Sequence, residues 1–141
     1  MALNDLARRW DLAAVRAGIG VCLILAIPLT LIAALVDSKD TGLNALFFFG
    51  AMFGFVLGAG CAAWIQRRGT PLSHGIVTAM IAYLGAQAVF ITIRLIGGNT
   101  VNWFSVFFTL SLVMLAGLFG GLLGSLLQAR GVVPSSRRSQ S

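Results

Sequence analysis

The stretch 104-FSVFFTLSLVMLAGLFGGLLGSLLQ-128 carries no charged side chain from end to end. At 1.5 Å per residue, a helix of this length crosses a hydrocarbon core of about 30 Å, whereas the average helix of a soluble domain has about 11–12 residues. Working back toward the N-terminus, three comparable segments occur at Ala13 to Val36, Asn44 to Ile65 and His74 to Ile96. Within lipid no water satisfies backbone N–H and C=O groups, so each segment has to cross as a helix. The expected fold is an all-α membrane protein, a bundle of four transmembrane helices running up and down with short loops. Residues 1–12 form a segment outside the bundle, and residues 129–141 a disordered basic tail rich in serine and arginine.

Composition leads to the same class. Of 141 residues, 58% are hydrophobic and 10% charged, against about 25% charged in an ordinary soluble domain. A chain this small has too little interior to hide so much apolar surface, which therefore faces lipid. The first apolar run follows Arg8 and Arg9 in the manner of an export signal, but a signal core has only about 7–15 residues, so the run is expected to be retained as a span.

The basic residues give the expected orientation. Arg8, Arg9, Arg16, Arg67, Arg68, Arg130, Arg137 and Arg138 fall on one side of the four spans, and only Lys39 and Arg94 on the other. Positive charge concentrates on the cytoplasmic side, so both termini are expected inside. The net charge of +6 thus belongs to membrane topology and to anionic lipids at the cytoplasmic face, and not to nucleic acid, which needs basic residues gathered on a water-facing element. Trp10, Trp64 and Trp103 stand at span ends, where indoles anchor at headgroup level. Ahead of the first span, Leu3, Leu6, Ala7 and Trp10 recur at helical spacing, which predicts a short helix lying in the interface.

Because lipid tails are as apolar as leucine, helix association rests on close backbone approach and interhelical hydrogen bonds. Gly50, Gly54 and Gly58 make a ridge on the second span, and Gly117 with Gly121 and Gly120 with Gly124 make two on the fourth. These ridges seal the bundle or, alternatively, present a surface to a second copy or to a larger membrane partner. Gln66-Arg67-Arg68-Gly69 and Gln128-Ala129-Arg130-Gly131 close the two glycine-rich spans alike, a faint sign of two hairpins related by an axis along the membrane normal.

The third span is the one place where polar groups enter the apolar region together. At 100° per residue, Tyr83, Gln87 and Arg94 fall within about 40° of one another, and Gln87 lies roughly 18 Å along the helix from Gly75. An amide at that depth requires partners, either a neighbouring helix or a polar solute. His74 is expected as a cap at headgroup level, having no carboxylate near it in sequence. Cys22 and Cys61 lie at unequal depth, roughly 13 Å and 7 Å from their helix ends, and read as small hydrophobes rather than a disulfide. Asp37 to Gly42 carries a glycine at the sixth place of a calcium loop, but Lys39 and Thr41 replace oxygen donors and Phe48 replaces the required Glu. The sequence offers no paired carboxylates, no phosphate-binding loop and no zinc ligand set, so neither an enzyme nor a cofactor is expected.

Pro71-Leu72-Ser73-His74-Gly75, then Gln87, Arg94 and Gly97, then Gly117-Leu118-Phe119-Gly120-Gly121 resemble the pattern of the YrzE-like family of small four-helix bacterial membrane proteins. The resemblance covers most of residues 12–128. It implies a multi-pass protein of the bacterial cytoplasmic membrane and brings no established activity with it. Two roles are therefore expected in order: a structural or accessory subunit that binds a membrane partner, or a solute or ion pathway along the third span.

Overall fold

The computed structural model describes residues 9–36, 41–132 and 134, without the side chains of 34–36. It contains four long helices: α1 (Leu12–Val36), α2 (Thr41–Ile65), α3 (Pro71–Ile96) and α4 (Trp103–Ala129). Each is long and apolar enough to cross a membrane. The proposed interfacial helix before Arg9, the tail after Pro134 and the Asp37 to Asp40 stretch lie outside the described residues.

The helices begin earlier than their apolar runs. α3 starts at Pro71 rather than His74, because proline suits the first helical position, where its missing N–H would have no partner. α4 starts at Trp103 behind Asn102, whose side chain accepts the Ser105 N–H at 3.2 Å. Hydropathy marks the apolar core of a helix, and the cap marks its end. Pro28 lies inside α1 without interrupting it, and two residues on, the Thr30 hydroxyl donates to the Ile27 carbonyl at 3.1 Å.

The bundle is small inside and large outside. Ala14, Cys22, Ala59, Ala62, Ala63, Ala79 and Val113 are fully buried, whereas Phe104 is 79% exposed and Ile24 73%. A water-soluble protein does not leave so many large apolar side chains outward; a lipid-facing surface accommodates them, and small residues let backbones meet.

Going round the bundle, the order is α1, α2, α4, α3, with α2 and α3 also touching across the short diagonal and α1 and α4 at opposite corners. A twofold axis relating hairpin α1–α2 to hairpin α3–α4 would turn the α2–α3 contact into an equal α4–α1 contact. No comparable α1–α4 contact occurs among the described residues, so the two hairpins are not arranged as the repeat in the sequence suggests.

The glycine ridges face inward. A methyl added at Gly58 would lie 2.5 Å from the Gly18 carbonyl oxygen of α1, and one at Gly54 2.8 Å from Leu25 Cβ. Gly50 is looser, 3.1 Å from a Leu29 methyl. The two ridges of α4 separate their duties. Gly117 and Gly121 take α3 at Gly75, Ile76 and Leu72, while Gly120 and Gly124 take α2 at Val56, Gly60 and Ala63. The answering glycines, Gly18, Gly60 and Gly75, had no four-residue repeat to reveal them.

Candidate functional site

At the end of the bundle away from the arginine clusters, aromatic side chains line the space between the helices. A cavity of about 240 Å³ lies among α1, α2 and α3, lined by Ala26, Phe48, Met52, Phe55 and Phe90 and closed on its α4 side by Thr109. It adjoins an outer chamber of about 390 Å³, which reaches Arg94, Asn102 and Ser105 and shares Thr30, Tyr83 and Gln87 with the inner one. The stripe Tyr83, Gln87 and Arg94 therefore lines two adjoining spaces, with Tyr83 and Gln87 shared by both and Arg94 in the outer one.

Tyr83 is 7% exposed, and its hydroxyl donates to the Val106 carbonyl of α4 at 2.9 Å. Its ring meets Phe55 edge-on, with centroids 6.4 Å apart. Tyr83 thus ties α3 to α4 and forms the floor. Below it, Ala79, Ala82, Val113 and Ala116 pack into a continuous apolar core. Gln87 is half-buried, and among the described residues its amide makes no hydrogen bond. Arg94 is exposed and forms no ion pair among the described residues. Both groups keep unused hydrogen-bonding capacity at the chamber wall.

The opposing polar wall was missed at the level of sequence. Asn102, Ser105 and Thr109 follow one another at three- and four-residue spacing and so share one face of α4. That spacing was the available signal, hidden because serine and threonine are unremarkable in membrane helices. Thr30 and Asn44 complete the lining from α1 and α2.

A second polar cluster occupies the arginine-rich end and corrects the expectation for His74. The ring is fully buried rather than capping the helix at an open surface. The backbone N–H of Asp11 donates to His74 Nε2 at 3.0 Å, and His74 Nδ1 lies 2.8 Å from the Thr70 carbonyl oxygen and 3.1 Å from its hydroxyl. Trp10 covers the ring, with centroids 5.0 Å apart. Chain folding thus brings Asp11 to the ring through its backbone N–H, while its carboxylate serves other backbone groups: Oδ1 accepts the Ala14 N–H and Oδ2 the Arg67 N–H, each at 3.2 Å.

Beside this cluster, Gln66 is 1% exposed and bridges to Gln128. The Gln128 amide donates to the Trp64 and Gln66 carbonyl oxygens at 2.8 and 3.0 Å, closing the open end of α2. The repeated Gln and Gly positions thus have a local basis: the two glutamines bond each other, and Gly69 and Gly131 turn the chain at φ 75° and 72°. The Trp64 indole is tied to the Val132 carbonyl oxygen at 2.7 Å, whereas Trp103 is 57% exposed. Cys22 and Cys61 are free thiols. Among the described residues, no group of His, Cys, Asp and Glu is placed to hold a metal ion.

No protein-family model, curated protein or solved structure matches the chain.

Proposed function

We propose that this multi-pass membrane protein binds a small amphipathic solute in the chamber lined by Tyr83, Gln87 and Arg94, as a binding or transport protein rather than an enzyme. One observation carries the reading: the stripe of α3 opens onto a cavity whose facing wall is also polar, and Gln87 and Arg94 find no partner there among the described residues. Had the stripe served only to join helices, Gln87 would bond to a neighbour as Tyr83 does. The chamber fits a molecule with an apolar body, held among Phe48, Phe55 and Phe90, and a polar head toward Gln87 and Arg94. We place this mouth on the non-cytoplasmic side, from the arginine distribution. Access from the other side is blocked by the alanine and glycine packing beneath Tyr83, so passage through the protein requires that packing to open.

The accessory-subunit reading is the weaker one, since it relied on glycine ridges that are spent on contacts within the chain. A partner would have to dock on the large apolar side chains outside. Membership of the YrzE-like family stands as part of this proposal and adds no activity to it.

The test is thiol access. In sealed vesicles of known orientation, Gln87→Cys should react with a membrane-impermeant maleimide added on the chamber side and be protected from the other side. Cys22, fully buried, serves as the internal control. Protection of Gln87→Cys from both sides would end the solute-site reading.

A further inference from the structure

We propose that His74 is a proton-binding site whose protonation releases the Trp10–Asp11 segment from the bundle. The inference concerns the opposite end of the molecule and is independent of the solute chamber.

The hydrogen bonds assign the ring's protonation state. An N–H donor from Asp11 stands 3.0 Å from Nε2, so Nε2 presents its lone pair. The ring proton is then on Nδ1, where the Thr70 carbonyl oxygen at 2.8 Å receives it. His74 is held as the neutral tautomer protonated on Nδ1. Adding a second proton places an N–H on Nε2, facing the Asp11 N–H head-on with no acceptor between them. The two donors cannot stay at 3.0 Å, so the Asp11 backbone withdraws.

The surroundings give the charged ring little reason to remain where it is. From the start of α1, Asp11 is the one carboxylate among the described residues, and both its oxygens already accept backbone N–H groups. The connection between α2 and α3 contributes Arg67 and Arg68, both exposed, and Thr70. The ends of α2 and α4 bring the neutral Gln66 and Gln128, which bond each other and nearby carbonyls. Arg9 beside Trp10, Arg16 on α1 and Arg130 after α4 are exposed cations. Among the described residues the formal charge at this end of the bundle is therefore mostly positive and favours a ring that gains water when it gains a proton.

Trp10 lies over the ring, so water reaches His74 when Trp10 moves. Proton binding and docking of the Trp10–Asp11 segment thereby exclude one another, a two-state element biased by one proton. What is freed is the Trp10–Asp11 segment at the head of α1.

The chain contains a single histidine, so ring ¹⁵N signals of the full-length protein in lipid nanodiscs belong to His74 without further assignment. The expected result is a neutral ring protonated on Nδ1, which becomes doubly protonated on acidification while the Trp10 and Asp11 amide signals shift with the same midpoint. Hydrogen exchange at the Asp11 amide should rise by about tenfold over that step, as expected for loss of one hydrogen bond. His74→Phe should abolish the pH dependence and leave Asp11 in fast exchange at every pH. Should that variant fail to fold, the wild-type titration decides alone. A neutral ring protonated on Nε2, a ring that titrates while Trp10 and Asp11 stay unmoved, or one that stays neutral throughout the range in which histidines ionise would each overturn the proposal.

Discussion

Glycine has two different meanings in this chain, and the sequence does not distinguish them. Gly58 lies where the backbones of α1 and α2 meet, and a single added methyl would be 2.5 Å from the Gly18 carbonyl oxygen. Gly85, also inside a helix, has nothing within 4 Å of the same methyl. Gly58→Ala is therefore expected to lower stability by about 1–3 kcal/mol, the usual cost of overpacking. Gly85→Ala should leave stability unchanged or raise it by up to about 1 kcal/mol, through the better helix propensity of alanine. Reversible unfolding in mixed micelles measures both, and equal effects would show that the ridge is not a close contact. Periodicity found Gly54, Gly58, Gly117 and Gly121 because they repeat; Gly18 and Gly75, which they meet, do not repeat within their helices and became legible only as partners.

Among the elements, the ends of the helices carry more information than their middles. α2 has no basic residue in its last turn, and the Trp64 and Gln66 carbonyl oxygens at its end are taken by Gln128 from the end of α4. Gln66→Leu and Gln128→Leu should each cost about 0.6–2 kcal/mol, the range for interhelical hydrogen bonds in membranes. The double variant should cost less than their sum, because each single change orphans what the other side chain was satisfying. Additive effects in a double-mutant cycle would mean that the two amides act separately. His74 belongs to the same scale. From sequence it was a cap with no carboxylate nearby, whereas its partner lies 63 residues away at the start of α1. No local pattern announces a partner at that distance.

At the scale of the whole molecule, the arrangement α1, α2, α4, α3 makes a prediction that the order of helices along the chain does not. Native Cys61 on α2 and a cysteine introduced at Leu127 on α4 line one groove and should join through a short bifunctional reagent. Cysteines at Ile24 on α1 and Leu115 on α4, at opposite corners, should not. The reverse outcome would require a different order. The sequence by itself determined that there are four long apolar helices, because the bilayer tests each segment separately for length, polarity and backbone satisfaction. It also determined that Tyr83, Gln87 and Arg94 share one face, since helical periodicity is a local property. Only the tertiary structure decided which glycines meet, that His74 holds Asp11, and that α4 supplies Asn102, Ser105 and Thr109 as the facing wall of the chamber. Those facts depend on rotation and pairing of helices, which in lipid are set by fine backbone fit and a few hydrogen bonds rather than by the bulk apolarity that hydropathy reads.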